Sequence, residues 1–126
     1  MQTDDRDRLS RIRQSLAELA EEVPRLVPIF AERTALMEGT VYEQKRKCGK
    51  PNCHCATGEP HRSMIVSRSE NGRTQLSAIP SGDLKDCQVL TARYQRFRAA
   101  RARLGRIYKT MLSLIDQLEE SRRRES

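Results

Sequence analysis

Apolar positions in the first third of the chain recur at spacings that alternate between three and four. Leu9, Ile12, Leu16, Leu19, Val23, Leu26, Phe30 and Met37 form one seam, and Arg33 fills its single gap. This period is the signature of a helix burying one face, and it predicts an N-terminal helical segment over 5–38. Pro24 and Pro28 complicate that reading, because an internal proline removes an amide donor and its ring clashes with the preceding turn. A kink or break is expected in EEVPRLVP, followed by a second helical piece to about Glu38 with Gly39 as a left-handed cap.

The period then shortens to two. Residues 40–47, TVYEQKRK, suit a short strand, while Ser63–Ser69 and Arg73–Ile79 flank Glu70, Asn71 and Gly72. Asn followed by Gly between strand-like runs predicts a hairpin, since both residues tolerate the positive φ that a type I′ turn demands. Pro80 closes the second strand, and Ser81 stands as N-cap of a long last helix with Asp83 in its first turn. There the apolar positions are Cys87, Leu90, Tyr94, Phe97, Leu104, Tyr108, Met111, Ile115 and Leu118, again three and four apart, with Arg101 interrupting. A seam this long reads as a coiled-coil-like arm that pairs with the N-terminal helix, a second subunit, or both. Arg33 and Arg101 either fix the register of such pairing or extend their charged ends past the seam into water. The expected fold is therefore α+β and mainly α, one domain built from a helical segment at 5–38, a loop and hairpin at 40–80, and a helix at 81–122.

Composition narrows what can hold this together. Of 126 residues only 37% are apolar and 4% aromatic, with no Trp, so extended helices or a metal must share the work of a core. The net charge of +7 points to a polyanionic partner. It is also concentrated: from Lys45 to Lys109 there are fifteen Lys or Arg against four Asp or Glu, a surplus of +11, which leaves the flanks at −4. Between Cys87 and Ile115 stand Arg93, Arg96, Arg98, Arg101, Arg103, Arg106 and Lys109 without one acidic residue. No apolar run approaches a membrane span, and MQTDDRDRLSR lacks the apolar middle of a secretion signal, so a cytoplasmic protein is expected. In that reducing compartment, four cysteines favour metal over disulfides.

The cysteines gather in KRKCGKPNCHCATGEPH, residues 45–61. Cys48, Cys53, Cys55 and His61 read as a closed Cys3His site for Zn²⁺, because thiolates and neutral imidazole are the donors that tetrahedral zinc prefers. If Cys53 and Cys55 lie in an extended segment, their sulfurs share one side and His54 points to the other. Cys87 belongs to the apolar seam as a small buried hydrophobe, and replaces His61 as fourth ligand should that histidine lie far away. Three thiolates and one imidazole around Zn²⁺ leave a charge of −1, which Lys45, Arg46, Lys47 and Lys50 offset. Catalysis is not expected, since a hydrolytic zinc site needs an open position and a general base, and the loop provides neither.

The functional expectation is a zinc-stabilised protein that contacts nucleic-acid phosphates through a basic head and arm. Its residues are Lys45, Arg46, Lys47, Lys50, Arg62, Arg68, Arg73, Arg93, Arg96, Arg103 and Arg106. Double-stranded DNA is favoured over RNA, because single-strand readers lean on exposed aromatics that are scarce here. The competing expectation is a coiled-coil adaptor for a recombinase, polymerase or regulator with a purely structural zinc. Neither membrane nor small-molecule substrate enters; self-association or a partner protein does.

The cysteine loop resembles the shared run CGKPxCxCxxGxxH of a family of small bacterial, archaeal and phage proteins. Cys48, Gly49, Lys50, Pro51, Cys53, Cys55, Gly58 and His61 carry the likeness, which extends over about 41–105. Arg62, Ser63 and Met64 stand where that family tends to have Gly-Pro-Tyr. Its members are frequently encoded near transposases, so the resemblance implies an accessory or nucleic-acid role on mobile elements.

Overall fold

The computed structural model describes residues 2–123. In chain order these are α1 (Gln2–Ala31), β1 (Thr40–Arg46), a 3-10 turn at His54–Ala56, β2 (His61–Glu70), β3 (Arg73–Ala78), a second 3-10 turn at Ser81–Asp83, and α2 (Leu84–Arg122). The expected class, mainly helical with a small antiparallel sheet and a long C-terminal helix, is what the chain adopts. By internal contacts it divides into two units. One is Thr34–Arg96; the other is formed by the chain on either side of that stretch. No helix among the described residues is long and apolar enough to cross a membrane.

The helical unit pairs α1 with the part of α2 from Phe97 onward. Arg8 reaches Gln117, Glu22 holds Arg103, and the rings of Phe30 and Phe97 meet edge to face at 5.3 Å, so numbers rise on one helix as they fall on the other. The two run antiparallel. Leu9, Ile12, Leu16, Leu19, Val23, Leu26 and Phe30 are buried or half-buried, as their spacing predicts.

Two expectations need correction here. The chain does not break at either proline, for α1 continues through Pro24 and Pro28 to Ala31, and no helical piece reaches Glu38. Ala20, Pro24 and Pro28 are exposed and lie four apart, on one ridge. The carbonyls of Ala20 and Pro24, which lose their donors, therefore fall on the side where water can replace them. The second correction concerns the seam of α2. Beyond Phe97 the covered positions are Ala100, Leu104, Ile107, Met111, Leu114 and Leu118, with Ile107 wholly buried. Tyr108 and Ile115 are 50% and 44% exposed, and Arg101 projects outward because Ala100 occupies the place assigned to it.

In the other unit β1, β2 and β3 form a meander in that order, antiparallel throughout. The hairpin between β2 and β3 turns at Asn71 and Gly72, whose φ values of 52° and 78° are the pair a type I′ turn requires. β1 ends at Arg46, one residue short of expectation; β2 begins at His61 and extends to Glu70, and β3 stops at Ala78. The amide of Ile79 still donates to the Met64 carbonyl at 2.9 Å; Pro80, lacking an amide, cannot follow. Ser81 does not cap α2. It lies inside the 3-10 turn, where Pro80 holds the cap position without a side-chain bond.

Gly39 fixes the entry to β1. It is not a helix cap, since α1 ends eight residues earlier and its φ is 139°. A Cβ there would stand 2.8 Å from Val66 Cγ2 and 2.9 Å from the Ser67 carbonyl oxygen, so no side chain fits against β2. Its carbonyl accepts from Gln95 Nε2 at 3.0 Å, while the Met37 amide donates to the Leu90 carbonyl at 3.2 Å. These two bonds tie the strand to the first turns of α2.

Burial ranks the sensitivity of the helical unit. Ile107→Ala should lower unfolding free energy by about 3 kcal/mol, the usual cost of emptying a core isoleucine site, whereas Val27→Ala at a half-exposed position should cost below about 0.5 kcal/mol. Urea unfolding monitored by helical ellipticity measures both, and comparable losses would refute the seam as placed.

Candidate metal centre

The ladder between β1 and β2 brings the cysteine loop to a point. Arg46 pairs with His61 across the two strands, so the chain that leaves β1 at Lys47 and returns at Pro60 is held at both ends. Cys48 follows β1 closely, and His61 is the first residue of β2. Between them the backbone folds back through the 3-10 turn His54–Ala56, with the Gly58 amide donating to the His54 carbonyl at 2.9 Å and the Ala56 amide to that of Cys53 at 3.1 Å.

Cys48, Cys53, Cys55 and His61 come together. Their four donor atoms all lie within 4.8 Å of one another. Cys48 Sγ is 3.5 Å from Cys55 Sγ, and Cys53 Sγ is 3.0 Å from His61 Nε2. The edges of a tetrahedron around zinc are about 3.8 Å between sulfurs and about 3.5 Å between sulfur and nitrogen, from bond lengths near 2.3 and 2.0 Å. The cluster is of that size, and its donors are the type zinc prefers, so these residues are close enough to hold a metal ion.

Cys87 is not one of the four. It is half-buried in α2, the place its apolar spacing gave it. His54 is also outside the group, though for a different reason than the expected one. Residues 54–56 form a 3-10 turn rather than extended chain, and the exposed His54 ring stacks edge to face on His61 with centroids 4.9 Å apart. It thus backs His61.

Backbone amides supply what the side chains lack. The Lys50 amide donates to Cys48 Sγ, and this bond is the main reason the Cys48 thiol is pulled down to about 6; contacts from Cys55, His61 and Cys53 add to it. Gly49 makes that reach possible by taking a φ of 82°, a left-handed conformation that L side chains rarely adopt. The Cys48 amide donates in turn to Cys55 Sγ at 3.4 Å, which lowers that thiol. Burial, the sulfurs of Cys48 and Cys53, and the Cys48 charge outweigh it, and the Cys55 thiol ends above its ordinary value. Cys55 is fully buried, Cys53 and His61 half-buried, and Cys48 exposed.

The basic residues fall into two groups. Lys45, Arg46, Lys47, Lys50, Arg68 and Arg73 are exposed on the loop and strands, and no ion pair to another described residue is found for them. Arg62 is engaged by Glu59 at 3.2 Å and Glu43 at 3.9 Å. Arg103 forms a two-pronged contact with Glu22, at 2.5 and 2.6 Å, which raises its own pKa and lowers that of Glu22. Arg93 is half-buried, and Arg96 and Arg106 are exposed. Glu22 lies 81 residues from Arg103 and Glu43 lies on the strand beside Arg62, where charge counting alone does not pair them.

A family model described as Domain of unknown function (DUF6788) matches residues 7–89. The chain belongs to this family. The matched stretch holds most of α1, the whole cysteine loop and all three strands, and it ends at Val89, within the first turns of α2. No curated protein and no solved structure matches the chain.

Two outcomes test the centre. Cys55→Ser should lose the metal to a mild chelator at concentrations that leave the wild type loaded, while Cys87→Ser should retain it, as read by elemental analysis after dialysis. In metal-free protein the first thiolate of the cluster should form near pH 6, visible as ultraviolet thiolate absorbance. Its folded pKa is depressed, so the stabilisation it brings is complete above the ordinary thiol value of about 8.5 and is lost as pH falls through about 6.

Proposed function

We propose that this is a zinc-stabilised nucleic-acid-binding protein, one that contacts the phosphates of double-stranded DNA through its basic loop and sheet and serves an accessory or regulatory role on a mobile element. The observation that carries the reading is the crowding of cations around the cysteine loop. From Lys45 to Arg62 there are five Lys or Arg and one Glu, a surplus of four, while Arg68 and Arg73 lie at the hairpin end of the sheet. Lys45 stands directly opposite Arg62 on the ladder, an arrangement of like charges that weakens a strand pair.

Folding does not call for so many. A Cys3His zinc site carries one negative charge, which a single cation offsets, and Arg62 already has Glu43 and Glu59. Lys45, Arg46, Lys47 and Lys50 exceed what the site itself requires. A polyanion neutralises them and releases its own counterions, which makes binding favourable and strongly salt-dependent. With all four ligand positions supplied by the protein, the zinc has a structural part rather than a catalytic one.

Within this reading the head contributes more than the arm. Arg103 would have to leave Glu22 before it met a phosphate. Lys47 and Lys50, next to the cluster and exposed, are the first contacts. The adaptor reading keeps the same zinc but spends these charges on an acidic protein, and it predicts no affinity for DNA.

Fluorescence anisotropy with a mixed-sequence duplex at rising salt separates them. Binding should be present at low salt and fall steeply, and Lys47→Ala with Lys50→Ala together should lower the slope of log affinity against log salt by about 2 while metal content stays unchanged. No binding at low salt would defeat the nucleic-acid reading in favour of the adaptor.

A further inference from the structure

The second half of α2 carries more apolar surface than α1 covers. Its inner seam, Phe97, Ala100, Leu104, Ile107, Met111, Leu114 and Leu118, is buried or half-buried. One residue further on, and so turned by about 100° around the helix, runs an outer row: Arg101, Gly105, Tyr108, Leu112, Ile115 and Glu119. Every one of these six is exposed, Tyr108 by 50%, Leu112 by 61% and Ile115 by 44%. Spacings of four and three repeat along it, the pattern of a helix that meets another helix.

We infer that this row is the contact between two copies of the chain, packed antiparallel about a two-fold axis near Thr110. The row reads the same in both directions. With the axis there, Arg101 of one copy faces Glu119 of the other, Gly105 faces Ile115, and Tyr108 faces Leu112, each pair occurring twice. A basic end meets an acidic end, and the bulky side chains lie between.

Gly105 gives independent support. Glycine is among the poorest helix formers, and nothing inside the chain repays its presence, since a Cβ added there would meet no atom within 4 Å. Opposite Ile115 of a second copy, the missing side chain makes room for a branched one. A parallel arrangement has no such economy. It sets Arg101 on Arg101 and Glu119 on Glu119, so both ends repel. Glu119 now holds Arg123 at 3.1 Å, but both side chains are exposed and the contact exchanges readily.

Sedimentation of the full metal-loaded chain over a range of concentrations tests this. The wild type should show a monomer–dimer equilibrium, and Leu112→Glu should weaken it by about tenfold or more with helical ellipticity and metal content unchanged. Arg101→Glu and Glu119→Arg should each weaken association, and the two combined should restore it, because the swap rebuilds the facing pair. A wild-type chain that stays monomeric at submillimolar concentration overturns the inference. So does a dimer indifferent to Leu112→Glu, which must use another face, or a charge swap that fails to rescue, which excludes the antiparallel register.

Discussion

Thiolates repel one another, and this chain brings three cysteine sulfurs to one place. The Lys50 amide draws the Cys48 thiol down, and with the Cys48 and Cys55 sulfurs 3.5 Å apart the resulting charge adds to burial in pushing the Cys55 thiol up. A divalent cation removes the conflict, since it allows every sulfur to ionise and replaces mutual repulsion with bonds. The head has little else to hold it. Among its described residues Cys55 and Ile65 are the buried apolar side chains, a core too small to order a forty-residue loop and sheet unaided.

The rest follows from where the loop is tethered. Because β1 and β2 pair up to Arg46 and His61, the run Lys45–Lys47 and Arg62 opposite Lys45 stand beside the same loop that gathers the sulfurs. One end of the sheet thereby sets soft sulfur and imidazole donors beside exposed hard cations. This difference in chemistry lets one short segment serve both a metal and a polyanion in the proposed function. The helical unit contributes differently, through a bidentate Arg103–Glu22 pair and an edge-to-face phenylalanine contact that set the two helices in antiparallel register.

Much of this could be read directly. The four clustered donors, the Asn71–Gly72 turn and the apolar seam of α1 depend on local rules of spacing and backbone conformation, which a single sequence displays in full. What escaped was cooperative. The prolines of α1 read as a kink or a break because propensity weighs each residue alone, whereas their shared exposed ridge makes the missing bonds tolerable and the helix runs on. The seam drawn through α2 mixed Leu104 and Met111 with Tyr108 and Ile115, since two apolar rows one residue apart give the same alternation of threes and fours. Arg101 looked like a flaw in one row when it is the end of the other. The engagement of Arg103 was hidden because its carboxylate, Glu22, comes from the other helix, and that of Arg62 by Glu43 because it crosses to the neighbouring strand.

X-ray absorption at the zinc edge, on protein purified without added metal, probes the cluster most directly. The account predicts one zinc per chain with three sulfur scatterers at about 2.3 Å and one imidazole nitrogen at about 2.0 Å. A zinc shell dominated by oxygen or nitrogen, or a folded head that holds no metal, would contradict it.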